Sequence, residues 1–282
     1  MKNQILFDII LVRLFQTKGD EFPMKGLKRL LSYTRRACED YGMIESGDKI
    51  AVGVSAGKDS LSLLYALAEL RRFYPVPFEL VAITVDMRFG DLENGGVPTD
   101  FTPIRELCEK LGVPYHVEPS NIAKIIFDVR KESNPCSLCA KLRRGMVNDT
   151  AKKLGCNKVA LGHHFDDIVE TFMLNLFFEG RLGCFAPITY LDRTDITVIR
   201  PLMYAPEKDI RYFAANAELP VVKSACPADG KTERESMKQF LADLEFKHKG
   251  LRHRIFGAMQ KAGIDGYKEA KVKIYSDPKR DE

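Results

Sequence analysis

Three short runs concentrate residue types that can do chemistry. The first, Ser55-Ala56-Gly57-Lys58-Asp59-Ser60, follows a β-rich run, Lys49-Ile50-Ala51-Val52-Gly53-Val54, and precedes a helical stretch. Small residues at such a junction let backbone N–H groups approach an anion, the helix N-terminus adds partial positive charge, and Lys58 adds a mobile ammonium. The run therefore predicts a phosphate cradle, with a plain strand-to-helix turn capped by Ser55 as the alternative. It is not a Walker loop, because Val52 stands where the first Gly should be and Asp59 follows the Lys.

The second is Pro135-Cys136-Ser137-Leu138-Cys139, two thiols three residues apart just ahead of an expected helix over 140–154. That spacing lets both sulfurs face one metal ion or cluster. A redox dithiol and two unrelated core cysteines are the alternatives. Two ligands do not hold a metal, and Cys226, in Lys223-Ser224-Ala225-Cys226-Pro227, is the only other cysteine in a polar, turn-like setting. Cys38, Cys108 and Cys156 have apolar neighbours and read as core residues, while Cys184 is ambiguous.

The third is Gly162-His163-His164-Phe165-Asp166-Asp167, at the junction of a strand and a helix. Both carboxylates fall in the first turn, where helix capping explains one of them. A second, beside an anion-binding loop, points to magnesium or to ordering of the ligands. No Glu-x-x-His or matching carboxylate spacing supports the histidine pair as zinc ligands.

Alternating elements must position these runs. Strands are expected over 49–55, 78–87, 114–117, 158–162 and 197–202, with helices over 60–73, 102–111, 140–154 and 166–178 between them. Repeated β-α units of this length predict an α/β fold, a parallel sheet flanked by helices, with ligands beyond the carboxyl ends of the strands. Residues 90–99, the stretch around Pro135 and residues 180–195 read as loops. Ahead of the sheet lies a basic amphipathic helix over 24–41, and after Pro220 two helices are expected, over 232–247 and 251–262. The division expected is an N-terminal extension over 1–23, since Met24 could itself start translation, an α/β domain over 24–219 that carries the phosphate cradle, and a small helical C-terminal region over 220–282 that carries Cys226.

Composition narrows the classes. With 282 residues, 45% hydrophobic and 29% charged, the chain can bury a sizeable core, which excludes disordered and fibrous architectures. No run approaches the roughly 20 apolar residues that span a bilayer, and residues 5–15 lack a small-residue cleavage site, so neither a membrane segment nor a signal peptide is expected. Seven cysteines, an odd count, argue for a reducing compartment, the cytoplasm. The net charge of +4 is mild. Basic residues nevertheless cluster in the first helix, at Lys141-Leu142-Arg143-Arg144, and from Lys247 to Arg254, as phosphate-backbone contacts would require.

Together these runs carry a family resemblance. The Ser55–Ser60 segment resembles the PP-loop of the adenine nucleotide alpha hydrolase superfamily, whose Ser-Gly-Gly-Lys-Asp-Ser motif grips the pyrophosphate of ATP; Ala56 departs from it. With Cys136 to Gly145, Lys158 to Thr171, Arg200-Pro201-Leu202 and Glu207-Lys208-Asp209-Ile210, the chain is similar to the tRNA 2-thiocytidine synthetase family over about 28–246. Many members carry a second Cys-x-x-Cys downstream; here Lys223 replaces its first cysteine and Cys226 remains.

The resemblance implies an ATP-dependent tRNA sulfur transferase acting on C2 of cytidine 32, with ATP, Mg2+ and a 4Fe-4S cluster held by Cys136, Cys139 and Cys226. ATP would bind through Ser55, Ala56, Gly57, Lys58, Asp59 and Ser60, with Thr84 and Asp86 near its base and Gly162 and Asp166 beside it. Lys58, Asp59, Arg143 and Asp167 would be catalytic. The partners implied are tRNA and a sulfur donor such as a cysteine desulfurase, with no membrane and with a homodimer left open. Rival readings are a uridine thiolase, a PP-loop amidase or ligase with a structural metal, and a non-catalytic metal-containing RNA-binding protein. Intact Lys58-Asp59-Ser60 favours an enzyme.

Overall fold

Alternate residues of the apolar runs face opposite sides of one sheet. In β1 (Asp48–Gly53), Ile50 and Val52 join one buried cluster and Ala51 a second; in β2 (Phe78–Asp86), Leu80 and Ala82 join the first and Val81, Ile83 and Val85 the second. A period of two with apolar residues on both faces means strands covered on both sides. The computed structural model describes residues 25–92, 96–130, 135–222, 226 and 233–269, so the expected extension over 1–23 and Lys223 lie outside the described residues.

The sheet has six strands in the order β3-β2-β1-β4-β6-β5, where β3 is Tyr115–Pro119, β4 Lys158–Ala160, β5 Ile188–Leu191 and β6 Ile196–Ile199. All neighbours run parallel except β5, which pairs antiparallel with β6. The expected loop over 180–195 thus contains an edge strand, and the expected strand over 197–202 ends at Ile199. β5 is only partly buried, so it lacks the continuous apolar run that marks the inner strands.

Helices α1 (Leu27–Tyr41), α2 (Lys58–Leu70), α3 (Thr102–Lys110), α5 (Phe165–Phe178) and α6 (Glu207–Asn216) supply the first cluster. A π-helical turn, Lys124–Val129, and α4 (Pro135–Lys153) cover the second through Ile126, Val147 and Ala151. Neither the π-turn nor α6 is among the expected elements. Met237 and Leu241 of α7 (Glu233–Lys247) and Phe256 and Met259 of α8 (Leu251–Lys261) are buried in the first cluster, so the C-terminal helices share the core of the α/β part. Each such side chain contributes about 1.5–3 kcal/mol by leaving water.

β1 lies between β2 on one side and β4 on the other, and β2 and β3 extend the sheet one way, β4 and β6 the other. In open α/β sheets the crevice beyond such a reversal point receives the ligand. The segments that leave β1 and β4 there are the phosphate-cradle run and the His163–Asp167 run. Among the described residues, no helix is long and apolar enough to cross a membrane.

Candidate active site

The loop after β1 is shaped by Ser60. Its Oγ accepts from Ser55 N at 3.0 Å and donates to Gly57 O at 3.0 Å, and Ser55 Oγ donates to it at 3.2 Å. Gly57 has ordinary extended backbone, φ −87, so the permissiveness of that glycine is unused. The left-handed position is Ala56, φ 65, the residue that departs from the PP-loop motif. Its Cβ costs about 1 kcal/mol there. Ala56 O accepts from Val222 N at 3.1 Å, tying the loop to the segment that leads to Cys226. A Cβ on Gly162 would lie 3.1 Å from Asp59 C and Ser60 N, so only glycine lets the segment after β4 lie against the start of α2.

Charge converges on this edge from five helices. Lys58 Nζ lies 3.0 Å from Asp59 Oδ2 and 3.1 Å from Glu207 Oε1 at the start of α6. Burial alone would lower the Lys58 pKa, but Asp59 and Glu207 outweigh it and raise it. Glu207 also meets Lys238 of α7 at 2.9 Å. Burial opposes its charge, yet hydrogen bonds from Lys238 and Lys58 hold its carboxyl down at about 2. Asp59 Oδ1 is buried without a hydrogen-bond partner, with His164 Nε2 at 3.8 Å.

The two aspartates at the start of α5 do different work. Asp167 closes a capping box: its Oδ2 accepts from His164 N at 3.0 Å, and its own N–H donates to His164 Nδ1 at 3.3 Å. Arg234 of α7 lies 3.5 Å from its other oxygen. Asp166 accepts from Glu207 N at 2.7 Å and pairs with Arg252 of α8. Glu170, one turn on, is buried, with Arg234 at 3.8 Å and Arg252 at 3.9 Å. Burial first, then the Asp167 charge, pushes its carboxyl up to about 7.

Thr84 and Asp86 are turned to structural tasks. Thr84 Oγ1 donates to Val54 O at 2.9 Å and accepts from the Tyr115 hydroxyl at 2.9 Å, pinning the end of β1. Asp86 Oδ1 accepts from Arg88 N at 3.1 Å and from the Thr99 hydroxyl at 3.0 Å, which organises the turn after β2. Arg143 is exposed on α4, where it lowers the Cys139 pKa, and no hydrogen bond or ion pair joins it to Lys58, Asp59 or Asp167.

Helix α4 begins at Pro135, earlier than expected, so Cys136 and Cys139 stand in its first turns, at a spacing that shares one face. Neither of them forms a disulfide, and nor does Cys226. Burial raises the Cys139 pKa, Arg143 opposes this, and Cys226 and Cys136 raise it further. Among the described residues, no three His, Cys, Asp or Glu side chains come close enough to hold a metal ion. The donor set is nonetheless of the soft thiolate kind that suits an iron-sulfur cluster. Cys184 is engaged elsewhere: its Sγ donates to Ile168 O at 3.5 Å, and burial raises its pKa to about 11.

The basic run over 247–254 is only partly an outer surface. Arg252 is turned inward onto Asp166, its side chain 13% exposed, and Arg254 donates to Lys249 O at 2.9 Å and His248 O at 3.2 Å. The expectation that this run makes phosphate-backbone contacts does not include the inward turn of Arg252. Residues the sequence reading did not single out, Glu207, Glu170, Arg234 and Lys238, complete the web. Glu207 and Glu170 stand within quoted motifs; Arg234 and Lys238 show no local signal.

A family model described as the PP-loop domain matches residues 29–245. A tRNA-cytidine(32) 2-sulfurtransferase of Geobacter sulfurreducens is 42% identical over 235 residues, which cover 82% of this chain and 89% of the relative. One of the same name from Psychromonas ingrahamii is 38% identical over 247 residues, covering 86% and 78%. Among solved structures, the U34-tRNA thiolase NcsA from Methanococcus maripaludis with its [4Fe-4S] cluster superposes with a TM-score of 0.65 at 26% identity, covering 82% of this chain and 77% of that one. The chain belongs to the PP-loop family and, within it, to the tRNA-cytidine(32) 2-sulfurtransferases.

Proposed function

We propose that the protein uses ATP to replace the C2 oxygen of a tRNA cytidine, position 32, with sulfur. The observation that carries this reading is one backbone hydrogen bond, Val222 N to Ala56 O, which ties the phosphate loop to the strand of chain bearing Cys226. An activating edge and a sulfur-delivering corner then serve one substrate base.

Lys58 and the N–H groups at the start of α2 bind the phosphates of ATP and offset the charge that builds on them. The base oxygen attacks the α-phosphorus, the α–β bridge breaks and pyrophosphate leaves. A sulfur nucleophile then adds at C2, and the C2–O bond breaks with AMP as leaving group. Asp59 is the carboxylate best suited to magnesium, since its Oδ1 is buried and accepts no hydrogen bond while Asp166 and Asp167 are engaged. Cys136, Cys139 and Cys226 would hold the 4Fe-4S cluster, which when bound by three thiolates leaves one iron open to carry sulfur. Exposed Lys141, Arg143 and Arg144 flank that corner and fit tRNA phosphates. Such an enzyme works where tRNA is made and used, in the cytoplasm, with a desulfurase-type sulfur donor.

The test is anaerobic turnover with tRNA and α-labelled ATP. AMP and pyrophosphate are the expected products; ADP would overturn the reading.

A further inference from the structure

Glu207 stands out because its side chain does what a phosphate would do. Its carboxylate is buried at the first residue of α6, and Oε1 accepts from Lys58 Nζ at 3.1 Å and from Lys238 Nζ at 3.0 Å. Oε2 takes Lys238 again at 2.9 Å, and Arg211 Nη2 lies 3.4 Å from Oε1. Two ammonium groups that would repel each other are thus hydrogen-bonded to one oxygen, and one of the two is the lysine of the phosphate loop. Asp166 fixes the Glu207 main chain through its N–H, so only the side chain is left to move. Lys238 projects from α7 and is 35% exposed, which leaves it able to follow a shifted anion.

A pyrophosphate carries more charge and more acceptor oxygens than one carboxylate, and ammonium–phosphate hydrogen bonds are charge-assisted. We propose that Glu207 is an internal counter-anion that competes with the nucleotide's phosphates for Lys58 and Lys238, and that Lys238 is a second phosphate ligand, supplied by the C-terminal helices. This rests on the ATP-dependent reading above and adds a residue and a competition to it. As the anion enters, Glu207 retains Arg211 as a partner, so its charge is not stranded.

The experiment is calorimetric titration of the full-length protein with inorganic pyrophosphate. Lys238→Gln should weaken binding roughly tenfold, with Lys238→Arg restoring most of it, whereas Glu207→Gln should tighten it several-fold, because the competitor is gone. If Glu207→Gln fails to fold, Glu207→Asp, which keeps the charge but shortens its reach, is expected to tighten binding in the same direction. Wild-type affinity in Lys238→Gln, or weaker binding in a folded Glu207 variant, would overturn the proposal while leaving the phosphate loop intact. Absence of pyrophosphate binding by the wild-type protein would overturn the ATP-dependent reading itself, and this proposal with it.

Discussion

At the nucleotide edge, Lys58, Glu207, Asp166 and Arg252 each meet an opposite charge from another segment, and helices α2, α5, α6, α7 and α8 all contribute. At the cysteine corner, Cys136 is exposed and Cys139 and Cys226 are half-buried, with Arg143 the cation acting on Cys139. One region arrives with its counter-charges built in; the other, on the proposed reading, offers thiols to a cluster that supplies charge from outside. Substitutions at the first should therefore alter stability and pH response, and substitutions at the second should alter what is bound while sparing the fold.

The sharpest break between the regions is expected from Cys226→Ala. Iron content and visible absorbance after anaerobic reconstitution should be lost, while the thermal midpoint of the iron-free protein stays put. Full iron retention would remove Cys226 from the ligand set and turn attention to Cys184, although the hydrogen bond of that thiol to Ile168 O speaks against it.

Next in size is Arg252→Ala, which strands Asp166 and Glu170 among fewer cations. A loss of roughly 2–3 kcal/mol is expected in denaturant unfolding, below the full cost of breaking a deeply buried pair because Arg252 keeps some exposure. Lys249→Ala, a few residues away, should leave stability unchanged and instead flatten the salt dependence of tRNA binding.

How much of this could be read from sequence follows the same division. Lys58 and its neighbours were legible because strand, small residues, lysine and helix are contiguous, so local physics suffices. The cysteine pair was legible by spacing. Glu207, Lys238 and Arg252 were not, because their meaning depends on which helices the sheet order brings together; Arg252 in isolation reads as a surface cation. β5 was missed because an edge strand with one partner carries a weaker apolar pattern. The left-handed backbone at Ala56 was not legible, because Gly57 beside it is where such backbone would cost least.

A smaller effect concerns Glu170. With its folded pKa raised to about 7 from 4.5, the folded state binds more protons than the unfolded chain between those values, so this group's contribution to stability falls as pH rises through that window. Glu170→Gln should remove the fall and be more stable at pH 8 by roughly 1–2 kcal/mol, with little difference at pH 4. A unit-for-unit parallel pH profile in the variant would contradict the assignment. The smallest expected change is Ala56→Gly, which relieves the left-handed backbone and should raise stability by about 0.5–1 kcal/mol in urea melts. A loss of stability there would mean that the methyl group's packing in the core outweighs its backbone cost.

The central claim is that the charged edge activates, and the thiol corner sulfurates, the same tRNA base. Mass spectrometry of tRNA nucleosides from cells lacking the protein, complemented with wild type, Lys58→Ala or Cys226→Ala, tests it most directly. The expected result is loss of 2-thiocytidine in the deletion, restored by wild type and by neither variant. Unchanged 2-thiocytidine in the deletion, or its full restoration by either variant, would contradict the account.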